Sequence, residues 1–222
     1  MQIDFYLANS NDKLQEAFDL VSVEYKKDGY INADAKPEMP GYNFLPTSAT
    51  FIAKLGNEII GTVTIVGDGE KGLPMEEIYK AEIEKLRLSG KKIAEISQLA
   101  LKREAFESLK INPRKFQIAI LIPLFRLVYS FAKARGIDKL CISINPKHDI
   151  FYKSLGFEEI GELKYYPSVN NAPALARMLD ISQAAEALAK KSFIFDEILK
   201  NPLLKEDFQR AKSGEIIFSL EV

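Results

Sequence analysis

Three side chains in this sequence have the types and settings that acid–base chemistry needs. Glu95 lies inside the apolar stretch IAEISQLAL, where a carboxylate must be paired, hydrated or raised in pKa. The only histidine of the chain, His148, precedes Tyr152 in the segment INPKHDIFYKSLGF. A carboxylate base, an imidazole relay and a phenol acid together suit a reaction in which protons move between a nucleophile and a leaving group.

Each of these residues also has a purely structural alternative. Glu95 could form an ion pair with a neighbouring Lys or Arg at a strand end. His148 could lie on the rim of the sheet, hydrogen-bonded to backbone or water. Tyr152 could simply pack beneath the sheet beside Phe151 and Phe157. Metal binding is not indicated, because one histidine and one cysteine do not make a zinc site.

Composition limits the classes of protein to which the chain could belong. With 222 residues, 47% of them hydrophobic, it can bury one sizeable core. A net charge of -1 argues against a nucleic-acid binder. The charge is uneven, however, because nine basic and three acidic residues give the stretch from Leu101 to Leu140 a net charge of +6. That stretch is either a solvated face or a landing site for an acidic or phosphate-bearing partner.

Local patterns predict the elements that position these residues. Gln2–Leu7 alternates as a strand, and Asn9 or Ser10 caps a helix that ends before Gly29. The later elements are predicted as a hairpin Ala49–Leu55 and Ile59–Val66, a helix Met75–Ser89, a strand Ile93–Leu101, a helix from Asn112-Pro113 to Arg135 with a kink or break at Pro123, a strand Lys139–Ile144, a helix His148–Leu155, and strands Phe157–Leu163 and Ala174–Ile181.

This order predicts an α/β fold with a mixed central sheet flanked by helices and followed by a C-terminal helical appendage. We expect one domain over residues 1–181 and a helical extension over 182–222, with Ile194 and Ile198 among its apolar positions and a last extended piece at Glu215–Glu221. The apolar run Ile118–Val128 is too short to span a bilayer and contains Arg126, so no integral membrane segment is expected. The N-terminus lacks the features of a secretion signal, which favours a cytoplasmic protein.

Four motifs in register carry a resemblance to a known family. They are GTVTIVGDGEKGLPMEEIYKAEIEKLR, AEISQLAL, NPKHDIFYKSLGF and YYPSVNNAPALARMLDI. The spacing of Asn145, Tyr152, Gly156 and Phe157 resembles the GNAT superfamily of N-acyltransferases. Together the four motifs resemble bacterial long-chain N-acyl amino acid synthases, which are related to acyl-homoserine-lactone synthases. The resemblance covers roughly Val21 to Ile181.

The resemblance implies an enzyme and a role for each catalytic candidate. The activity would be transfer of a long-chain acyl group from an acyl carrier protein thioester, or less favourably from acyl-coenzyme A, to the amine of an amino acid or another small amine. Glu95 would activate the amine, Tyr152 would protonate the departing thiolate, and His148 would relay a proton or contact the acyl carbonyl. Asn145 and Phe151 would contribute to substrate binding. The acyl-phosphopantetheine arm is then a donor substrate, and no tightly bound cofactor is implied.

Two departures from the family pattern concern donor binding. Gln98 stands where an Arg usually follows the Glu by three positions, so a charged fork for a carboxylate or donor is missing. The stretch KREAFESLKINPRKF contains no glycine, which argues against a tight pyrophosphate-binding loop. We expect basic side chains to hold a single phosphate instead: Arg103, Lys110, Arg114 and Lys115.

Substrate-binding surfaces follow from this interpretation. An apolar tunnel for the acyl chain should be lined by Ile96, Leu99, Ile118, Leu121 and Phe125. The loop KKDGYINADAKPEMPGYNF should close over the acceptor, with Tyr25, Tyr30 and Tyr42 as aromatic surface and Lys26 and Lys27 as charges for a carboxylate.

Two other functions stay open at the level of sequence. One is a signal synthase of the acyl-homoserine-lactone type, which the absence of tryptophan disfavours. The other is a non-catalytic module that binds an acyl group or its carrier. The change to Gln98 favours that module, whereas retention of Glu95, His148 and Tyr152 argues against it.

Overall fold

Eight strands form a single sheet in the computed structural model, which describes residues 1–108, 112–188 and 203–221. The strands are β1 (Gln2–Leu7), β2 (Ala49–Leu55), β3 (Glu58–Gly67), β4 (Ile93–Leu101), β5 (Lys139–Ile144), β6 (Glu158–Tyr166), β7 (Ala172–Asp180) and β8 (Phe218–Glu221). The helices are α1 (Asn11–Lys27), α2 (Glu76–Leu88), α3 (Arg103–Ser108), α4 (Pro113–Ala134), α5 (Asp149–Ser154), α6 (Ile181–Leu188) and α7 (Lys205–Ala211). Short 3-10 turns occupy Gly41–Phe44, Pro146–His148 and Pro167–Val169.

The strand order is β6-β7-β5-β4-β3-β2-β1-β8, and β4 and β5 are parallel neighbours in an otherwise antiparallel arrangement. Helix α4 and helix α7 pack on one face of the sheet, where Phe116, Leu124 and Phe208 join the largest apolar cluster. Helices α1 and α2 cover the other face in two smaller clusters. Because both faces are covered, the central strands are apolar along nearly their whole length. The predicted mixed α/β sheet is confirmed.

Strands β4 and β5 stay paired for only part of their length. Their register runs from Ile93 opposite Lys139 to Ile96 opposite Ile142, although β4 continues to Leu101 and β5 to Ile144. The strands therefore part at their carboxyl ends. In open α/β sheets, ligands bind in the crevice outside the carboxyl ends of the strands.

A β-bulge lies in β4 at the place where the two strands part. Against β3, Ser97 pairs with Thr64 and Ala100 pairs with Thr62, so two residues of β4 oppose one residue of β3. An extra residue reverses the alternation of faces. Ile96 accordingly belongs to the cluster under α4, whereas Ala100 belongs to the cluster under α1.

The helix signals in the sequence are confirmed where they are local. The Ser10 side chain caps α1 by accepting a hydrogen bond from the backbone N–H of Lys13. The Asn112 side chain caps α4, with Pro113 in the first turn. Of the two alternatives predicted at Pro123, a kink or a break, the break does not occur, since α4 runs as one helix of 22 residues through Pro123. Helix α3 was not predicted.

Helix α4 is also the one candidate for a membrane span among the described residues. Within Arg114–Ala134, an 18-residue stretch has a mean hydropathy of 1.4, but 61% of that stretch is buried within the protein. Packing against the sheet accounts for its apolar composition.

The C-terminal segment contributes to the sheet where the structure describes it. Strand β8 pairs antiparallel with β1, and the rings of Phe5 and Phe218 stack with centroids 4.7 Å apart. Helix α7 buries Phe208 against Phe131, with ring centroids 5.5 Å apart. The predicted apolar positions Ile194 and Ile198 lie outside the described residues. The division of the chain at residue 182 stays a prediction.

Candidate active site

A cavity of about 990 Å³ fills the space where β4 and β5 part. Its walls come from the ends of β4 and β5, the 3-10 turn and helix that follow β5, the C-terminal half of α1, and the segments before β2 and β7. This volume is at the upper end of the usual range for small-molecule sites, about 300–1,000 Å³. Glu95, His148 and Tyr152 all line it.

Glu95 is a buried carboxylate in the wall of the cavity. It is 3% exposed, and its Oε2 accepts a hydrogen bond of 2.8 Å from the backbone N–H of Met75. Burial raises the pKa of Glu95 to about 8; the Met75 N–H opposes the rise, and the nearby charge of Glu76 adds to it. A carboxyl group of this kind takes up a proton near neutral pH, which an amine-activating base must do.

Side-chain contacts within the loop between β3 and α2 fix the position of the Met75 N–H. The Glu76 carboxylate accepts a 2.6 Å hydrogen bond from the backbone N–H of Leu73, and Arg87 forms ion pairs with both Glu76 and Asp68. Gly72 adopts a φ of +69°, and a Cβ there would lie 2.6 Å from a Glu76 oxygen. The loop conformation is therefore fixed by side chains other than Glu95.

Besides Tyr30 and Tyr152, three further tyrosines line the cavity that contains Glu95: Tyr25, Tyr42 and Tyr166. Burial raises the pKa of Tyr42 to about 12, and the charge of Glu95 adds to the rise. Burial raises the pKa of Tyr25 and of Tyr166 as well. The Tyr166 hydroxyl donates a 2.7 Å hydrogen bond to the carbonyl of Pro74, next to Met75. These phenols stay protonated at neutral pH and offer hydrogen bonds without charge.

His148 and Tyr152 reach the cavity from the segment after β5. The Asn145 side chain accepts from the backbone N–H of Lys147 at 3.0 Å and so caps the 3-10 turn that carries His148. Burial lowers the pKa of His148, and the charge of Lys147 lowers it further. Burial raises the pKa of Tyr152. At neutral pH the imidazole can therefore accept a proton, while the phenol can only donate one.

Aromatic packing holds Tyr152 in place. Its ring makes edge contacts with Phe125, Phe151 and Phe157, at centroid distances of 6.0, 5.3 and 5.6 Å. Phe151 and Asn145 also line the cavity, as does Leu99 of β4. The packing contacts that offered a structural alternative for Tyr152 are present, and Tyr152 also faces the cavity.

Gln98 is buried in the bulge of β4, at 6% exposure, and lines the cavity. Its side-chain amide pairs with that of Asn43, as Asn43 Nδ2 donates to Gln98 Oε1 at 2.7 Å and Gln98 Nε2 donates to Asn43 Oδ1 at 3.2 Å. Gln98 also adopts a φ of +51°, which costs a non-glycine residue about 1–3 kcal/mol.

Charged side chains form a paired network at the mouth of the cavity. Arg103 Nε lies 2.9 Å from Glu24 Oε2, and an Arg103 Nη2 lies 2.6 Å from Asp28 Oδ1. Lys147 Nζ lies 3.6 Å from the other Asp28 oxygen and 5.3 Å from the centre of the Tyr30 ring. Arg103 is thus held by two carboxylates rather than presented alone to a phosphate.

Comparison with known proteins identifies the family. The profile of the family described as N-acyl amino acid synthase FeeM matches residues 16–180. The chain belongs to this family. The structure of FeeM, an N-acyl amino acid synthase from uncultured soil microbes, shares 34% sequence identity with it at a TM-score of 0.75, covering 87% of this chain and 97% of that one. No curated protein sequence matches the chain.

More distant structures share the fold of this FeeM family member. An N-acetyltransferase from Staphylococcus aureus Mu50 has a TM-score of 0.53 at 15% identity and covers 81% of this chain and 98% of its own. BjaI, a coenzyme A-dependent acyl-homoserine lactone synthase, has a TM-score of 0.55 at 16% identity, with coverages of 86% and 88%. The fold is that of the GNAT acyltransferases, and the protein is an N-acyltransferase.

The predicted phosphate-binding residues of this FeeM family member do not gather in the cavity. Arg114 and Lys115 are exposed in the first turn of α4, outside the cavity walls, and Lys110 lies outside the described residues. The Asn112 Oδ1 atom accepts from the backbone N–H groups of Arg114 and Lys115, at 3.0 and 3.3 Å. Two N–H groups that could hold a pyrophosphate are therefore already used by the cap.

The predicted acyl tunnel is partly wrong. Ile96, Leu99 and Leu121 line the cavity, but Ile118 is 44% exposed, and Gln117 and Leu121 are the residues of α4 that line the cavity. Phe125 is buried in the core behind Ile96, next to a second void of about 10 Å³. The predicted charge pair Lys26 and Lys27 does not line the cavity either.

Sequence reasoning also missed several cavity residues. Tyr166 lies in a quoted motif, and its neighbour Pro167 marks the end of a strand, which is the kind of signal that could have singled it out. Glu24 and Asp28 are ordinary acidic residues of a helix end, and only the packing of α1 over β4 brings them to the cavity. Nothing in the sequence links Asn43 to Gln98.

Proposed function

We propose that this N-acyltransferase transfers a long-chain acyl group from the phosphopantetheine thioester of an acyl carrier protein to the amine of a free amino acid. The observation that carries the proposal is a buried, proton-accepting Glu95 in a cavity that also has an apolar wall. That wall includes Phe18, Val21, Leu99, Leu121, Ile144 and Phe151. The proposal includes a cytoplasmic location, with which the single free Cys141 is compatible.

The acceptor enters as an ammonium and must lose two protons to become an amide. Glu95 takes the first, and the neutral amine then attacks the thioester carbonyl carbon. The C–S bond breaks as the tetrahedral intermediate collapses, and Tyr152 protonates the leaving thiolate. The second amine proton returns to Tyr152 by way of His148, while Glu95 releases its proton to solvent.

Two features favour a carrier protein over coenzyme A as donor. The cap of α4 uses backbone N–H groups that a pyrophosphate would need, and the described part of the segment before it has no glycine. The exposed cations Arg114 and Lys115 would instead face the acidic surface of a carrier.

Purified protein tests the proposal directly. It is incubated with a mixture of amino acids and either a C16 acyl carrier protein or the same C16 acyl-coenzyme A, and products are detected by mass spectrometry. We expect an N-acyl amino acid, with kcat/KM at least tenfold higher for the carrier protein. Equal or better use of acyl-coenzyme A contradicts the donor assignment, and no amide from either donor contradicts the proposed activity.

Charge reversal separates docking from chemistry. The double variant Arg114→Glu/Lys115→Glu should lose carrier-dependent activity but keep its rate with acyl-coenzyme A. The matched control is Lys80→Glu/Lys85→Glu, which makes the same charge change on exposed positions of α2. Equal losses in both double variants would show that net charge, not a docking site, governs carrier use.

A further inference from the structure

The β4 bulge holds a residue in a conformation that its type does not favour. Gln98 has a φ of +51°, a region that L side chains other than Asn and Asp seldom adopt. It lies between Glu95 and Leu101 on the strand that forms one wall of the cavity. Such a conformation persists only when surrounding contacts over-determine it.

The contacts that fix Gln98 come from two directions. Asn43 forms a reciprocal pair with its amide, and the Thr64 hydroxyl donates to the same Oε1 at 2.9 Å. Asn43 is 7% exposed and lies on the 3-10 turn Gly41–Phe44, in the segment before β2 that lines the cavity through Pro40 and Tyr42. Tyr42 on the same turn lines the cavity, as do Ser97 and Gln98. The 3-10 turn Gly41–Phe44 is therefore hydrogen-bonded to the bulge of β4 through Asn43.

We propose that Asn43 is a positioning residue, which holds the Gln98 bulge in the shape that the reacting thioester requires and couples it to the acceptor loop. Asn43 does not line the cavity, so it acts through Gln98, which does. This inference rests on the proposed acyl transfer.

The bulge matters to the reaction because of what it exposes. A β-bulge leaves its extra residue out of the regular ladder pairing, and here Gln98 and Leu99 of the cavity wall together oppose Val63 of β3. Pre-positioned backbone N–H groups are the usual donors to the oxyanion of an acyl-transfer intermediate. A displacement of about 1 Å in such a group can cost about 10²-fold in rate.

A double-mutant cycle tests the coupling. Asn43→Ala should lower kcat about 10²-fold and leave the acceptor KM within about threefold. Gln98→Gly relieves the φ of +51°, because glycine adopts that region freely, and should cost much less than Asn43→Ala. In the glycine background, Asn43→Ala should cost little more. Additive losses would overturn the proposal.

An exchanged pair provides a rescue. The double variant Asn43→Gln/Gln98→Asn keeps one long and one short amide and places Asn, which tolerates this φ better, in the bulge. It should recover at least a tenth of the wild-type kcat, and no recovery argues against the pair. The matched control is Thr50→Val, which removes the 2.9 Å hydrogen bond to Thr64 at the far end of the same network. It should reduce the melting temperature with kcat unchanged within about twofold.

A readout without activity separates this inference from the proposed function. In hydrogen-exchange mass spectrometry, Asn43→Ala should speed exchange in the peptide covering residues 96–101 as well as in the loop around residue 43. Thr50→Val should not affect residues 96–101. If Asn43→Ala speeds exchange in its own loop alone, the positioning role is wrong, even where acyl transfer is confirmed. If the exchange result holds but no substrate is turned over, the proposed function fails, whereas the positioning of the Gln98 bulge by Asn43 is supported.

Discussion

The cavity contains two buried carboxylates in opposite surroundings: Glu95 at its floor, and Glu24 in the charged network at its mouth. Glu24 at the mouth is 4% exposed and Glu95 at the floor is 3% exposed. Glu24 has two cations beside it, with Lys27 Nζ at 2.7 Å and Arg103 Nε at 2.9 Å. Glu95 has the Met75 N–H but no cation within ion-pair distance among the described residues.

The difference shows how burial alone fails to mark a functional carboxylate. A buried carboxylate with cations beside it forms ion pairs that connect elements; here Glu24 connects α1 to Arg103 at the start of α3. In a buried carboxylate without cations, burial favours the neutral, protonated form until a positively charged ligand binds beside it. An incoming ammonium is such a ligand. We therefore propose that Glu95 at the floor serves proton transfer, while the ion pairs of Glu24 at the mouth serve the fold.

The largest expected effect is on catalysis at the floor. Glu95→Gln keeps an oxygen for the Met75 N–H but cannot take a proton, so kcat should fall about 10²–10⁴-fold. Below a pH of about 8, the pKa of Glu95, the wild-type kcat/KM should rise with pH, because the base must be ionised. That rise should be lost in the variant. A pH profile of kcat/KM measures both effects, with Glu24→Gln as the same substitution at the other buried carboxylate.

A variant Glu95→Gln that keeps full activity, or that keeps the wild-type pH profile, would remove Glu95 from the reaction. A loss of comparable size in Glu24→Gln would instead mean that any carboxylate of the cavity matters, and the contrast between floor and mouth would fail.

The sequence was sufficient where the signal is local. The caps at Ser10 and Asn112, the hairpin of β2 and β3 and the central strand β4 follow from residue type and periodicity. The placement of Glu95 in an apolar strand left three alternatives, a paired carboxylate, a hydrated one or one with a raised pKa, and the structure favours the last. Its hydrogen bond to Met75 was not predictable, because it depends on how a loop 20 residues away folds back.

Two misses have the same physical origin. Helix α4 is apolar on most sides, so periodicity could not show that Gln117 rather than Ile118 faces the cavity. No glycine in the sequence indicates the bulge at Gln98, and Asn43, the hydrogen-bond partner of Gln98, comes from a loop without a regular pattern. In both cases tertiary contacts decide the outcome, and local residue preferences do not.

A second effect of Glu95 should appear in stability. The folded-state pKa of about 8 lies above the ordinary value of 4.5, so the folded protein binds the proton more tightly. Its contribution to stability is fully present below a pH of about 4.5 and is lost as the pH rises toward about 8. Relative to wild type, Glu95→Gln should gain on the order of 3–4 kcal/mol in unfolding free energy between pH 5 and pH 9. Urea unfolding followed by circular dichroism measures this, and parallel pH curves for the two proteins would contradict it.

The smallest expected effect belongs to the mouth. Glu24→Gln removes the anion between Lys27 and Arg103, whose side chains are 31% and 44% exposed and so can be rehydrated. The cost in unfolding free energy should therefore be about 1–3 kcal/mol, below that of an ion pair buried on both sides. Arg103→Gln serves as the partner variant, and the double variant should lose less than the sum of the two. If Glu24→Gln instead increases the free energy of unfolding, then the burial of Glu24, like that of Glu95, costs stability.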